Sequence, residues 1–216
     1  MAPACRSTGG APQQGTGETG ANDALVPNRA RPVRAGAVSE RDPPRSTIRC
    51  IRDTLHAMSD VPVTAAVRVL RAHSVAFEPF FYAYEDRGGT RRSAAVLGVD
   101  EHEVIKTLVF QDDTGKPFVV LMHGDKEVSA KSLARLLGVK RVQPCPPAVA
   151  DRHSGYQVGG TSPFGTKRTM PVYLERTITD LERIFVNGGK RGFLVRIAVA
   201  DLVRVLSPTV VDVATT

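Results

Sequence analysis

The chain has 216 residues, 42% of them hydrophobic and 24% charged, which is enough for one core of ordinary size with a tail beside it. No apolar run approaches bilayer-spanning length, and the N-terminus lacks the basic-then-apolar pattern of a secretion signal. The formal net charge of +7 admits an anionic partner such as RNA without requiring one. The three cysteines, Cys5, Cys50 and Cys145, show neither metal-ligand spacing nor a paired framework, so a reducing cytoplasm fits. Cys145, set between prolines, is either a nucleophile or incidental.

Residues 1–57 are rich in Gly, Pro, Ser, Thr and Arg and carry no lysine. Such a segment buries too little surface to offset its ordering entropy, and disorder is expected. Ile48, Ile51 and Leu55 leave room for a short helix over 47–58. Met58-Ser59-Asp60 opens directly onto the patterned part, so residues 1–57 are either a tail or a misplaced start, and 58–216 are the folded domain.

Val63, Val67 and Leu70 recur at helical spacing opposite Arg68 and Arg71, predicting a helix over 64–73 with His73 at its C-terminal end. The aromatic run 77–84 predicts a strand. Asp86-Arg87-Gly88-Gly89 reads as a turn, and 93–97 as a short helix closed by Gly98. Residues 104–110 are apolar on both faces, as in a strand buried on both sides. Lys106 interrupts that pattern. A lysine is rarely buried without a partner. Either it snorkels from an edge position, or it presents an ammonium to a pocket, where it can hold a carboxylate, a phosphate or a developing oxyanion.

Residues 112–116 read as a hairpin turn with two solvated aspartates, and 118–122 as the returning strand. Ser129 caps a helix with Leu133, Leu136 and Leu137 inward and Gly138 at its end. A short strand over 139–142 follows, then a helix from Pro147 to about His153. His153 is a candidate base or a surface histidine at a helix end.

The next stretch, Gly155-Tyr156-Gln157-Val158-Gly159-Gly160-Thr161-Ser162-Pro163-Phe164-Gly165-Thr166-Lys167-Arg168, is dense in glycine but patterned. Tyr156 and Val158 alternate like the end of a strand. Gly159 and Gly160 free the backbone and permit close approach of a ligand. Ser162-Pro163 bends the chain. One reading is a β-hairpin with a long loop; the other is a backbone cradle for a small polar ligand with cations beside it. Strands over 171–174 and 184–186 follow, then a second glycine turn, Asn187-Gly188-Gly189-Lys190-Arg191-Gly192, a strand over 193–197 and a helix over 201–206. With no repeated βαβ unit and no P-loop, the class is α+β: a mixed, largely antiparallel sheet or distorted barrel flanked by short helices.

The strand around Lys106, the Gly-Tyr-x-Val-Gly-Gly-x-Ser-Pro-Phe-Gly run and the Gly-Gly-Lys-Arg-Gly turn, in this order, resemble the YbaK/EbsC family, free-standing relatives of the editing domain of bacterial prolyl-tRNA synthetase. The resemblance spans about residues 61–213. It implies a trans-editing deacylase, best known for clearing cysteine from tRNA for proline, with no cofactor and no metal. Its partners are the acceptor end of a misacylated tRNA and prolyl-tRNA synthetase, with neither membrane nor DNA. By this resemblance Lys106 anchors the tRNA terminal phosphate or ribose, and Gly159 and Gly160 hold the aminoacyl carbonyl. Ser162 and Phe164 shape the amino-acid pocket, with Thr107, Thr161, Pro163, Gly165, Asn187 and Gly188 around it. Tyr82 and Asp201 match residues of the family site, and Lys167, Arg168, Lys190 and Arg191 serve tRNA phosphates.

The chemistry asks little of the protein. An aminoacyl ester is already activated, and the thiol of a cysteinyl substrate can attack its own carbonyl, leaving positioning and oxyanion stabilisation to the enzyme. Two departures stand out. The second glycine turn begins with Asn187 where the family has Ser or another small residue, and Arg91-Arg92-Ser93-Ala94 replaces acids before Gly98. The alternatives are a deacylase for another misacylated tRNA such as Ala-tRNA(Pro), a non-catalytic aminoacyl or tRNA-binding module, and a charge-driven RNA-binding domain.

Overall fold

The computed structural model describes residues 61–215. The expected tail, the helix over 47–58 and Met58 lie outside the described residues. The helices are α1 (Ala65–Ala72), α2 (Gly89–Leu97), α3 (Ala130–Leu137), α4 (Pro147–Ser154) and α5 (Val199–Leu206). The strands are β1 (Glu78–Phe81), β2 (Ile105–Asp112), β3 (Pro117–His123), β4 (Glu127–Val128), β5 (Val142–Pro144), β6 (Val172–Glu175), β7 (Arg183–Lys190), β8 (Phe193–Ala198), β9 (Thr209–Val211) and β10 (Ala214–Thr215). A five-stranded sheet runs in the order β5-β2-β3-β6-β9, a three-stranded sheet β1-β8-β7, and β4 pairs with β10. β2 is antiparallel to β3 and β5, whereas β6 is parallel to β3 and to β9. The class is α+β as expected, and the sheets do not close into a barrel.

β2 is buried on both sides because its alternate side chains enter different cores. Ile105 and Val109 join Val119, Leu121, Ile184 and Val195, while Phe110 packs with Val120, Met122 and Leu133. Burying a side chain of this size contributes about 1.5–3 kcal/mol relative to exposure. A single bridge, Val104 to Phe185, ties the start of β2 to the three-stranded sheet. Along Ile105–Val109, β2 pairs with β3 alone.

The structure corrects several expectations. Thr64 is the cap of α1, its hydroxyl accepting from Val67 N–H at 3.1 Å, so Val63 precedes the helix and is 65% exposed. Leu136 is exposed as well, since it lies about 200° round α3 from buried Ala134. The strand expected over 77–84 stops at Phe81, and α2 starts at Gly89, inside the expected turn.

The 155–168 stretch is neither strand nor hairpin. Gly155 ends α4 at φ +76°, and Tyr156 turns inward. The Tyr156 hydroxyl donates to Phe164 O at 2.6 Å. Lys167 N–H donates to Ser154 O at 2.9 Å, and Arg168 N–H to His153 O at 3.0 Å, closing the base of the loop. The result is a compact loop packed on its own side chains.

Candidate active site

A cavity of about 1060 Å³ is lined by the part of β2 that pairs with β3 but not with β5. Its walls come from β2, the 82–93 segment, the 144–150 segment, the tip of the 155–168 loop and the β7–β8 turn. Lys106, Thr107, Tyr82, Gly159, Thr161, Asn187 and Arg191, all expected from the sequence, line it together. Residues more than 80 positions apart thus meet because β2, the loop and the turn converge.

Lys106 is the second residue of β2. Its ammonium donates to Glu127 Oε1 at 2.9 Å, and the lysine side chain is 17% exposed against 75% for Glu127. The expectation of an ammonium in a pocket that can hold a carboxylate had not named Glu127 as the carboxylate. The neighbouring Thr107 Oγ1 is buried and meets no hydrogen-bond partner among the described residues. An orphaned hydroxyl in a cavity wall costs about 1–3 kcal/mol, so it is poised to gain from a ligand.

The structure separates the two glycines that the sequence paired. Gly159 lines the cavity at φ +87°, whereas Gly160 is buried and donates its N–H to Gln157 O at 2.8 Å. A Cβ on Gly160 would lie 2.8 Å from Arg191 N, so this glycine packs the loop onto the β7–β8 turn. Ser162, Pro163 and Phe164 are buried and do not line the cavity. Phe164 belongs to the main core, so it supports the loop from beneath. Gly165 takes φ +64° against Ala65, and Gly188 is packed against the Phe193 ring. Asp201 also lies off the cavity, where it accepts from Arg204 at 2.6 Å. Lys167, Arg168 and Lys190 are exposed away from the lining.

Sequence reasoning missed Tyr84, Arg87, Glu127 and Leu194, all of which line the cavity. Arg91 and Arg92, singled out as a departure from the family pattern, line it as well, whereas Arg87 had read as part of a turn. Arg92 pairs with Glu85 at 2.9 Å, Arg191 approaches Asp86 at 3.9 Å, and Thr90 donates to Glu101 at 2.9 Å. Each carboxylate of the lining is therefore already engaged.

The titratable groups narrow the chemistry further. Burial pushes the Cys145 thiol up, and its Sγ lies 3.6 Å from Gln111 Oε1, so this wall residue is a neutral thiol and not a thiolate nucleophile. Burial raises Tyr82, offset in part by Ser93 and Gly192. His153 is buried and does not line the cavity, which removes both the base and the surface reading. Burial, then Arg168 and Arg152, hold its imidazole below the ordinary range.

One cluster has metal-ligand composition: His102, His123 and Asp125 come within 4.8 Å. Its geometry does not suit a shared ion. His123 Nδ1 donates to His102 O at 2.7 Å, and its Nε2 lies 2.9 Å from Thr177 Oγ1. The two rings stack at 3.7 Å and 14°, which aims their in-plane lone pairs along parallel planes. The cluster instead braces the end of β3 beside Gly124, another cavity residue.

Residues 87–205 match the family described as the aminoacyl-tRNA editing domain. The chain belongs to this aminoacyl-tRNA editing family. Editing of an aminoacyl-tRNA is cleavage of its ester, so the family is one of enzymes, and deacylation is the reaction class of this chain. A protein of Enterococcus faecalis named for Cys-tRNA(Pro)/Cys-tRNA(Cys) deacylation, EbsC, is 32% identical over 136 residues, 62% of this chain and 83% of that one. The proline–tRNA ligase of Streptococcus suis is 30% identical over 100 residues, 46% of this chain but 16% of the ligase. Among solved structures, one described as a trans-editing enzyme for prolyl-tRNA synthetase superposes with a TM-score of 0.61 at 20% identity, covering 70% of this chain and 98% of that one. Another, the hypothetical protein APE2540, gives 0.65 at 24%, covering 70% and 99%. These two likenesses concern the editing fold. No helix among the described residues is long and apolar enough to cross a membrane.

Proposed function

We propose that this protein is a trans-editing deacylase that clears cysteine from tRNA(Pro), acting on the acceptor end in the cytoplasm through a folded domain over residues 58–216. Prolyl-tRNA synthetase, whose ligase shares this domain, is the proposed working partner. The observation that carries the reading is the convergence of Lys106, Thr107 and Gly159 on one cavity, in a chain of the editing family.

The cavity favours a nucleophile brought by the substrate. The wall carboxylates are engaged by Arg92, Arg191, Thr90 and Lys106, and the wall cysteine is neutral. In the proposed step the cysteinyl sulfur attacks the ester carbonyl carbon and the C–O bond to the ribose breaks. The thiol proton passes to the departing ribose oxygen, which leaves a cyclic thioester and a free tRNA end. Lys106 and the Gly159 N–H offer charge and a donor where negative charge develops, a contribution of roughly 10²–10³ in rate for one well-placed donor. Lys106 must exchange Glu127 for the substrate on the way.

The test is release of labelled amino acid from Cys-tRNA(Pro), Ala-tRNA(Pro) and Cys-tRNA(Cys), with Lys106→Ala beside the wild type. Fast release from Cys-tRNA(Pro), lost in the variant, is the expected result. Release from Ala-tRNA(Pro) alone would replace the thiol mechanism by water attack. No release from any of the three would overturn the reading.

A further inference from the structure

Two successive carbonyls of the 155–168 loop are held by side chains of the β7–β8 turn. Arg191 Nε donates to Val158 O at 2.9 Å, and Asn187 Nδ2 donates to Gly159 O at 3.3 Å. Each of these side chains is itself fixed. The Arg191 guanidinium lies over the Tyr84 ring, 4.8 Å from its centroid. Asn187 Oδ1 accepts from Gly189 N–H at 2.8 Å and Lys190 N–H at 3.2 Å across the bulge that ends β7. Tyr84 closes the bracket from the other side, since a Cβ on Gly159 would lie 2.6 Å from its hydroxyl oxygen.

Peptide planarity turns this bracket into a direction. In a trans peptide the N–H points opposite to the carbonyl of the same unit. Turning Gly159 C=O toward Asn187 agrees with the Gly160 N–H reaching Gln157 O. Turning Val158 C=O toward Arg191 leaves the Gly159 N–H pointing away from the turn, without an acceptor among the described residues. That donor belongs to a residue that lines the cavity.

We infer that Arg191 and Asn187 are positioning residues that aim the Gly159 N–H at the reacting ester, with Arg191 committed to this bracket and not to a tRNA phosphate. The inference rests on the editing reaction proposed above. It also gives the asparagine at the head of the turn a purpose: a serine there is too short to span both its own turn and the Gly159 carbonyl. Arginine is required at 191 because the bracket uses a directed Nε donor and a flat face on Tyr84, neither of which lysine supplies.

The experiment uses the full chain with the mischarged tRNA that the wild type deacylates. Arg191→Lys keeps the charge and breaks the bracket. The bracket predicts a fall in kcat of roughly 10- to 100-fold with little change in KM and an unchanged slope of log(kcat/KM) against log salt. A phosphate contact predicts the reverse: near-normal Arg191→Lys, a raised KM in Arg191→Ala, and a slope reduced by about 0.7–0.9. That pattern would overturn the inference. Asn187→Asp keeps the two acceptor contacts and replaces the donor to Gly159 O by a carboxylate oxygen that repels it, so it carries the test if Arg191→Lys folds poorly; its kcat is expected to drop about 10-fold.

Amide hydrogen exchange over 155–161 provides a readout independent of turnover, and both variants should exchange faster there than the wild type. A wild type inert on every aminoacyl-tRNA sinks the editing reading while exchange still reports on the bracket. An active wild type with undiminished kcat and unchanged exchange in both variants sinks the bracket alone.

Discussion

Replacing Gly159 by alanine separates backbone strain from misplacement of the cavity wall. At φ +87° an alanine costs about 1–2 kcal/mol. Its Cβ would sit 2.6 Å from the Tyr84 hydroxyl and 3.0 Å from two ring carbons. Restoring an ordinary 3.4 Å contact requires a shift of ~0.8 Å, the difference between 3.4 and 2.6 Å. Tyr84 has little freedom to retreat, because Arg191 lies on its ring and is anchored to Val158 O. The loop therefore moves, and a displacement approaching an ångström at the reacting centre costs roughly 10- to 100-fold in rate. Gly115→Ala is the matched control: φ is +80°, with nothing within 4 Å of the added carbon, in the β2–β3 hairpin. Both variants should lose about 1–2 kcal/mol, or ~2–8 °C in Tm. Only Gly159→Ala should lose kcat/KM, and Tyr84→Phe in that background should restore part of it by removing the nearest atom. Thermal melts and single-turnover deacylation read the two effects separately. A Gly159→Ala protein that melts like Gly115→Ala but keeps full kcat/KM would refute the reasoning.

Three further outcomes are expected. Lys106→Ala returns Glu127 to water, so stability should change by less than about 1 kcal/mol while deacylation falls at least ~100-fold; an unaltered rate would remove Lys106 from the site. Tyr156→Phe strips the donor from Phe164 O and should cost about 1–3 kcal/mol in urea unfolding, and a change within error would mean that the hydroxyl does not pin the loop. Burial holds His123 below its ordinary pKa, and burial with Arg168 and Arg152 does so for His153. The unfolded chain then binds protons that the fold resists. Stability is fully present above about pH 6.5 and is lost as pH falls toward the folded values, by at most about 1.4 kcal/mol per pH unit per histidine. Urea titrations from about pH 5 to 7.5 would show this slope; a flat profile would exclude it.

Several features of the fold were legible because they are local. Ser129 sits at a cap, Gly98 and Gly138 end helices in the left-handed region, and residues 112–116 form the hairpin turn. The two-sided burial of β2 followed from apolar residues on both of its faces, with Lys106 as the interruption. Less legible were positions whose fate depends on what packs against them. Val63 and Leu136 match the helical period and are nevertheless exposed, because period alone does not show where a short helix begins or which part of its stripe meets a neighbour. His153 is polar and adjacent to the loop, yet it is buried by the loop's own closure.

For the site, the sequence by itself determined which segments matter: the strand carrying Lys106, the double-glycine stretch and the Asn187–Gly192 turn each declare themselves through residue types unsuited to an ordinary core or surface. Only the tertiary structure decided the roles within them. It put Gly159 on the cavity and Gly160 behind it, buried Ser162 and Phe164 as support, left Asp201 outside, gave Lys106 to Glu127, and brought Tyr84, Arg87 and Arg91 to the wall. The reason is physical. A glycine's freedom, a lysine's charge and a turn's shape are properties of the chain nearby, whereas direction, partner and exposure are set by other segments, 21 residues off for Lys106 and Glu127 and 33 for Arg191 and Val158, that meet only when the chain is packed.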